Sequence, residues 1–270
     1  MFKTLLARAR QGYRTAGYPL EAPSLPPLFR GRPLLDTEKC RPDCNACDDA
    51  CPTDAIASAA GPRLDLGRCI FCGDCETACP TGAIAFSSDW QLAASERPAL
   101  QISGDVQPAA ATLSDQLRRL LGRSLRLRQI SAGGCNGCEV EVNALGNVVF
   151  DASRFGIDFV ASPRHADGVL ITGPITRNMR EATLATYQAV AEPKLVIAAG
   201  ACAISGGIFR GRPEVEDGVD GLFPVDLYVP GCPPHPITIL DGLLRLLGAY
   251  EEKFGLFPVP PDAPAGKPRD

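Results

Sequence analysis

Apolar and polar positions sort this chain into a long patterned stretch and a short irregular one. In the second half, Leu125–Ser131 reads as a first strand and Cys138–Leu145 as the helix it feeds. Ile157–Ala161 and Val169–Thr172 are short apolar runs, each preceded by Gly or Asp turn chemistry, and predict buried strands. Met179–Ala191 has helical character and stops at Pro193. Leu195–Ala199 and Val225–Val229 predict two more strands, and Ile237–Leu247 a final helix. Strands alternating with helices predict a parallel, doubly wound sheet.

The first half follows no such rhythm. Residues 1–35 carry Lys3, Arg8, Arg10, Arg14, Arg30 and Arg32 against Glu21, and prolines 19, 23, 26, 27 and 33 preclude a long helix. A short helix followed by an extended basic arm is expected there, suited to docking on a partner or an anionic membrane surface. Residues 36–90 hold eight of the twelve cysteines. Within them, Cys40–Ile56 and Cys69–Ile84 form an internal repeat, each ending Ala-Cys-Pro-Thr-x-Ala-Ile. Two hairpin-and-helix units related by a pseudo-twofold axis are the expected form. Residues 91–112 are rich in Ala, Ser, Pro and Gly and read as a linker, 113–250 as the α/β domain, and 251–270 as a Pro-rich tail.

Cysteine usage supplies the chemistry. No secretory or twin-arginine leader and no membrane-length apolar run is evident, so a reducing cytoplasmic compartment is expected, where thiols serve as metal ligands. The run Cys69-x2-Cys72-x2-Cys75-x3-Cys79-Pro80 has the bacterial ferredoxin spacing. Structural zinc sites instead favour two separated pairs. The first run, Cys40, Cys44, Cys47, Cys51, matches it except for one additional residue between Cys40 and Cys44. In two-cluster ferredoxins the fourth cysteine of each run crosses to the other cluster. Cluster A would then use Cys40, Cys44, Cys47 and Cys79, and cluster B Cys69, Cys72, Cys75 and Cys51. In the second half Cys135, Cys138, Cys202 and Cys232 each follow a predicted strand, at the carboxyl edge where open α/β sheets bind ligands. They form a third set, cluster C, and three 4Fe–4S clusters are expected in all. With about −2 on each oxidised cube, the formal charge of −4 would fall to roughly −10. That balance points away from nucleic acid and toward a basic partner.

The segments Gly134-Cys-Asn-Gly-Cys-Glu-Val-Glu141, Gly200-Ala-Cys202, Ser205-Gly-Gly-Ile-Phe209 and Val229-Pro-Gly-Cys-Pro-Pro234 resemble the small subunit of energy-converting NiFe hydrogenases, including formate hydrogenlyases. Tyr18-Pro-Leu-Glu21, Phe29-Arg-Gly-Arg-Pro33 and Cys69-Ile-Phe-Cys72 resemble the two-cluster ferredoxin subunit of the same complexes, so the chain looks like a fusion of the two. The resemblance implies an α+β dicluster ferredoxin domain followed by an α/β flavodoxin-like domain with a parallel sheet. It implies an electron-transfer role, not catalysis by the chain alone. The implied partners are a hydrogenase-type large subunit, membrane subunits of the complex and a soluble electron donor or acceptor. The implied location is the inner face of the cell membrane, reached through those subunits. It also implies a proton-conducting role for Glu141, beside the simpler reading of Glu139 and Glu141 as carboxylates at a helix N-terminus. The same folds occur in complex I, whose homologues carry adjacent cysteines at the first ligand position; here Cys135 and Cys138 are separated by two residues. A subunit of a complex I-like quinone oxidoreductase or of a nickel-less relative, and a free ferredoxin-type carrier, are the competing expectations. His165 is expected on a turn, His235 at a helix start, and Arg154 and Arg164 in ion pairs.

Overall fold

A computed structural model describes residues 2–41, 43–59, 61–104, 121 and 124–248. The expected tail at 251–270, the second part of the expected linker and the start of the α/β domain lie outside the described residues. Helix α1 (Phe2–Gln11) is followed by an arm without helix as far as β1 (Pro33–Leu35). Then come α2 (Ala46–Ala50), β2 (Ile56–Ala57), β3 (Arg63–Asp65), α3 (Asp74–Ala78) and β4 (Ile84–Phe86). β1 pairs antiparallel with β4 through Leu35↔Ile84, and β2 with β3 through Ile56↔Leu64. The expected hairpin-and-helix units are not formed as such: each repeat is a strand–helix–strand unit, β1-α2-β2 and β3-α3-β4, whose strands pair with those of the other unit while α2 packs on α3.

The α/β part contains β6 (Leu125–Ser131), α4 (Gly137–Ala144), β7 (Ile157–Phe159), β8 (Gly168–Thr172), α5 (Arg177–Gln188), β9 (Leu195–Ala199), α6 (Ala201–Ser205), β10 (Leu227–Val229) and α7 (Pro236–Leu246). All four pairings in its sheet are parallel, in the order β10-β9-β8-β6-β7. This is the flavodoxin-like order, in which the succession of strands reverses between β6 and β8. The central strands β8 and β9 are buried at every position, which explains their continuous apolar runs. Helix α7 is buried except at Arg245 and is apolar nearly all round for the same reason.

The expected linker departs from its composition over its described part. Leu92, Ala93 and Ala94 are buried, and Ala94 exchanges two backbone hydrogen bonds with Tyr228 of β10. A 3-10 turn, Arg97–Leu100, then leads into β5 (Gln101–Ile102), which joins the ferredoxin sheet at Leu64↔Ile102. Residues 91–102 are therefore shared structure between the two halves. Small residues allow that: Ala94 has no long side chain to hold the strand away from β10, and Gly242 lets α7 approach Ala93.

Ionic contacts complete the junction. Arg97 donates to both carboxylate oxygens of Asp65, at 2.8 and 2.6 Å, and reaches Asp220 of the α/β part at 3.6 Å. The Ser205 hydroxyl donates to the Gly67 carbonyl at 2.8 Å. The arm is also only partly free. The Tyr18 hydroxyl, buried, donates to Asp241 of α7 at 2.6 Å, and Arg154 donates to the Tyr18 carbonyl at 2.9 Å.

Candidate iron–sulfur centres

The third cysteine set sits at the carboxyl edge of the parallel sheet. Cys135 and Cys138 lie on the loop and first turn that follow β6, beside the point where strand order reverses. Asn136 turns that loop with a left-handed backbone (φ 72°). Cys202 follows β9 in α6, and Cys232 follows β10. All four line one cavity of about 70 Å³ together with Gly134, Gly173 and Gly231. Gly200 (φ 93°) must be glycine here, since a Cβ would stand 2.5 Å from the Cys138 sulfur.

Burial pushes the Cys202 thiol up to about 12, with the neighbouring Cys232 and Cys135 adding to the shift. Cys138 and Cys232 are raised for the same reason, burial first and mutual repulsion second. Four thiolates can share this site only with a strongly positive guest among them. Cys135 and Cys232 are nevertheless exposed, so one side of the site opens at the protein surface.

A carboxylate that sequence alone puts at a helix terminus has a more specific place. Glu139 is buried and accepts from Ser131 at 2.6 Å and from Thr172 at 2.7 Å. Ser131 and Thr172 are paired across β6 and β8, so Glu139 ties α4 to the sheet beneath the cavity. The hydroxyl residues Ser131 and Thr172, which end their two strands, are the sequence signal for this. Glu141 lies elsewhere, in a second cavity, and burial raises its pKa.

The ferredoxin half gathers its thiols in the crossed pattern. Cys40, Cys44, Cys47 and Cys79 line a small cavity of about 20 Å³. The additional residue between Cys40 and Cys44 is absorbed with Asp43 in the left-handed region (φ 62°). Cys51 instead faces the second run: its charge acts on Cys69, Cys72 and Cys75, and burial pushes Cys69 up to about 12 and Cys75 to about 11. The repeat persists at atomic level. The Ala55 N–H donates to the Cys51 sulfur and the Ala83 N–H to the Cys79 sulfur, both at 3.2 Å. Such N–H···S contacts stabilise thiolate charge and tune the potential of a bound cluster. Among the described residues no group of three or more Cys, His, Asp or Glu is placed to hold a single metal ion, whereas two of the cysteine sets line cavities, an arrangement suited to a polynuclear guest.

A cavity of about 240 Å³ joins the two halves, lined by Ile70 and Phe71 of the second ferredoxin run and by Cys232, Pro233 and His235 of the α/β part. His235 packs edge-on against Phe29 and Phe150, at 5.5 and 5.9 Å between ring centroids. Its Nδ1 accepts from the Ile237 N–H at 3.2 Å, capping α7, and burial lowers its pKa. His165 is exposed on a 3-10 turn.

Comparison with known proteins agrees with this layout. A family model described as "NADH ubiquinone oxidoreductase, 20 Kd subunit" matches residues 135–246, the range holding Cys135, Cys138, Cys202 and Cys232. The chain is 43% identical over 132 residues to the probable membrane-bound hydrogenase subunit mbhJ of Pyrococcus furiosus, covering 79% of that protein and 49% of its own length. The chain belongs to the NADH ubiquinone oxidoreductase 20 kDa subunit family. Its N-terminal half adds a segment, residues 62–85, that matches a 4Fe–4S binding domain, so the family fold here follows an iron–sulfur ferredoxin unit. Other relatives are formate hydrogenlyase subunit 7 of Escherichia coli, 45% identical over 149 residues, and an NADH-quinone oxidoreductase subunit of Geotalea daltonii, 46% identical over 121 residues. These matches take in 55% and 44% of the chain, and 58% and 71% of the relatives' own lengths.

Proposed function

We propose that the chain is an electron-transfer subunit with three 4Fe–4S clusters, working to or from a hydrogenase-type large subunit in a formate hydrogenlyase-like or energy-converting hydrogenase complex. Cys40, Cys44, Cys47 and Cys79 would hold cluster A, Cys69, Cys72, Cys75 and Cys51 cluster B, and Cys135, Cys138, Cys202 and Cys232 cluster C. When bound, the clusters supply one-electron chemistry. The protein's own part is to fix twelve thiols, to donate N–H groups to sulfur, and to hold the two halves in one register through Arg97 and the Ala94–Tyr228 pairing. The ferredoxin unit at 36–90 would face a soluble electron carrier and the α/β domain at 113–250 the large subunit. The complex would sit on the inner face of the cell membrane. Among the described residues no helix is long and apolar enough to cross it.

One observation carries this reading. The third cysteine set opens to the surface at Cys135 and Cys232, while its Cys232 loop shares a cavity with Ile70 and Phe71 of the second ferredoxin run. A site with one side toward the ferredoxin unit and the other toward solvent is suited to pass electrons between that unit and a docked partner.

Isolation of the chain with its associated subunits tests the proposal. A large subunit carrying two CxxC motifs is expected; purification as a stable monomer without partners would overturn it. A second reading, a complex I-like quinone oxidoreductase or nickel-less relative, is favoured by the likeness to the NADH-quinone oxidoreductase protein of Geotalea daltonii. A large subunit lacking the CxxC motifs selects that reading.

A further inference from the structure

Helix α1 presents a surface that nothing in the cluster chemistry uses. No residue of its ten is buried, and Phe2, Leu5 and Leu6 are 78%, 62% and 43% exposed. Phe2, Leu5, Leu6 and Ala9 recur at the spacing of one helical face. At 100° per residue, Lys3 and Arg10 border that face on one side and Arg8 on the other. Tyr13, 83% exposed, lies beneath the Arg8 guanidinium just past the helix end. A helix this short is marginal in water without an apolar surface to cover it.

Charge identifies the cover. The first twenty residues hold Lys3, Arg8, Arg10 and Arg14 and no acidic residue, so removing these four charges from the net −4 leaves −8 on the rest of the chain. Four positive charges without an acidic neighbour thus lie on the segment that carries the exposed apolar stripe. Basic side chains bordering a narrow apolar face, with aromatic residues at both ends, match an anionic bilayer surface: the stems lie along the acyl boundary and the charges reach the headgroups. At ten residues the helix is too short to span, so it would lie in the interface.

We propose that α1 binds the surface of an anionic membrane directly, giving this chain a lipid contact of its own. Vesicle flotation with the full-length, cluster-loaded chain tests this. Binding to phosphatidylcholine vesicles containing phosphatidylglycerol is expected, with weak binding to phosphatidylcholine alone and a loss on raising salt. Neutralising Arg8 and Arg10 (R8Q, R10Q) should weaken it by about fivefold per charge. Replacing Leu5 and Leu6 with Asn should also weaken it, in both cases with the cluster absorption unchanged because no side chain of α1 is buried. The double variant R210Q/R212Q makes the same change in net charge on exposed positions of the α/β part and should bind like wild type. Equal binding to neutral and anionic vesicles, or an equal loss in R210Q/R212Q, would overturn the proposal. So would absence of vesicle binding together with protection of α1 only in the assembled complex, which would identify a protein partner instead.

Discussion

Replacing Gly200 with Ala tests the third cysteine set without touching a cysteine. The backbone there has φ 93° and ψ 153°, a region that residues with a side chain enter at a cost of about 1–3 kcal/mol. The added Cβ would stand 2.5 Å from the Cys138 sulfur, whereas ordinary contact begins near 3.4 Å, so the thiol must retreat by about 0.9 Å. Metal–ligand distances tolerate about 0.2 Å. The displacement exceeds that several-fold, so Cys138 should cease to be a ligand while the ferredoxin half is unaffected. Iron and acid-labile sulfide would fall from about twelve to about eight per chain, with loss of one set of EPR signals. Gly211→Ala is the control, because its φ is 73° and a Cβ there meets nothing within 4 Å. It should cost about 1 kcal/mol of stability and keep all its iron. Full iron in Gly200→Ala, or equal iron loss in both variants, would refute the steric reasoning.

Three further outcomes are expected. Cys51→Ser should deplete the cluster held with Cys69, Cys72 and Cys75, and Cys79→Ser the one held with Cys40, Cys44 and Cys47; EPR that assigns each loss to the run containing the mutated residue would refute the crossing. Arg97→Ala removes a two-pronged pair with Asp65 and the 3.6 Å contact with Asp220, and should cost about 1–3 kcal/mol, or about 2–4 °C of melting temperature per kcal/mol, by scanning calorimetry. Burial holds the His235 pKa below its ordinary value of 6.5, so the unfolded chain binds more protons than the folded one below that pH. Stability should be fully present above about pH 6.5 and decline as pH falls below it. His235→Asn, which keeps a capping side chain, should flatten the wild-type minus variant difference; an unchanged slope would show that His235 is not responsible.

Much of the α/β half is legible in the sequence because its signals are local. Leu195–Ala199 is a strand by its own continuous apolar composition and is buried throughout, and Leu125–Ser131 begins with the apolar–polar alternation of a strand, Leu125 and Leu127 buried and Arg126 exposed. The cysteine sets are legible through spacing, and the structure gathers Cys40, Cys44, Cys47 and Cys79 around one cavity despite the longer loop. What composition conceals is pairing at long range. A stretch rich in alanine and serine normally signals a linker, yet Leu92, Ala93 and Ala94 are buried because Tyr228, more than a hundred residues on, offers a strand edge to pair with. Arg97 reads as one surface cation among many until the fold brings Asp65 and Asp220 to it. Glu139 reads as a helix-terminus carboxylate until β6 and β8 align Ser131 with Thr172 beneath it.

The proposal of three cubane clusters on one chain, two in the ferredoxin unit and one at the edge of the parallel sheet, is most directly tested by counting their atoms. The measurement is iron and acid-labile sulfide analysis of the full-length protein, purified without oxygen and paired with EPR of the reduced sample. About twelve irons and twelve sulfides per chain are expected. Eight or fewer irons in fully folded protein would contradict the three-cluster proposal.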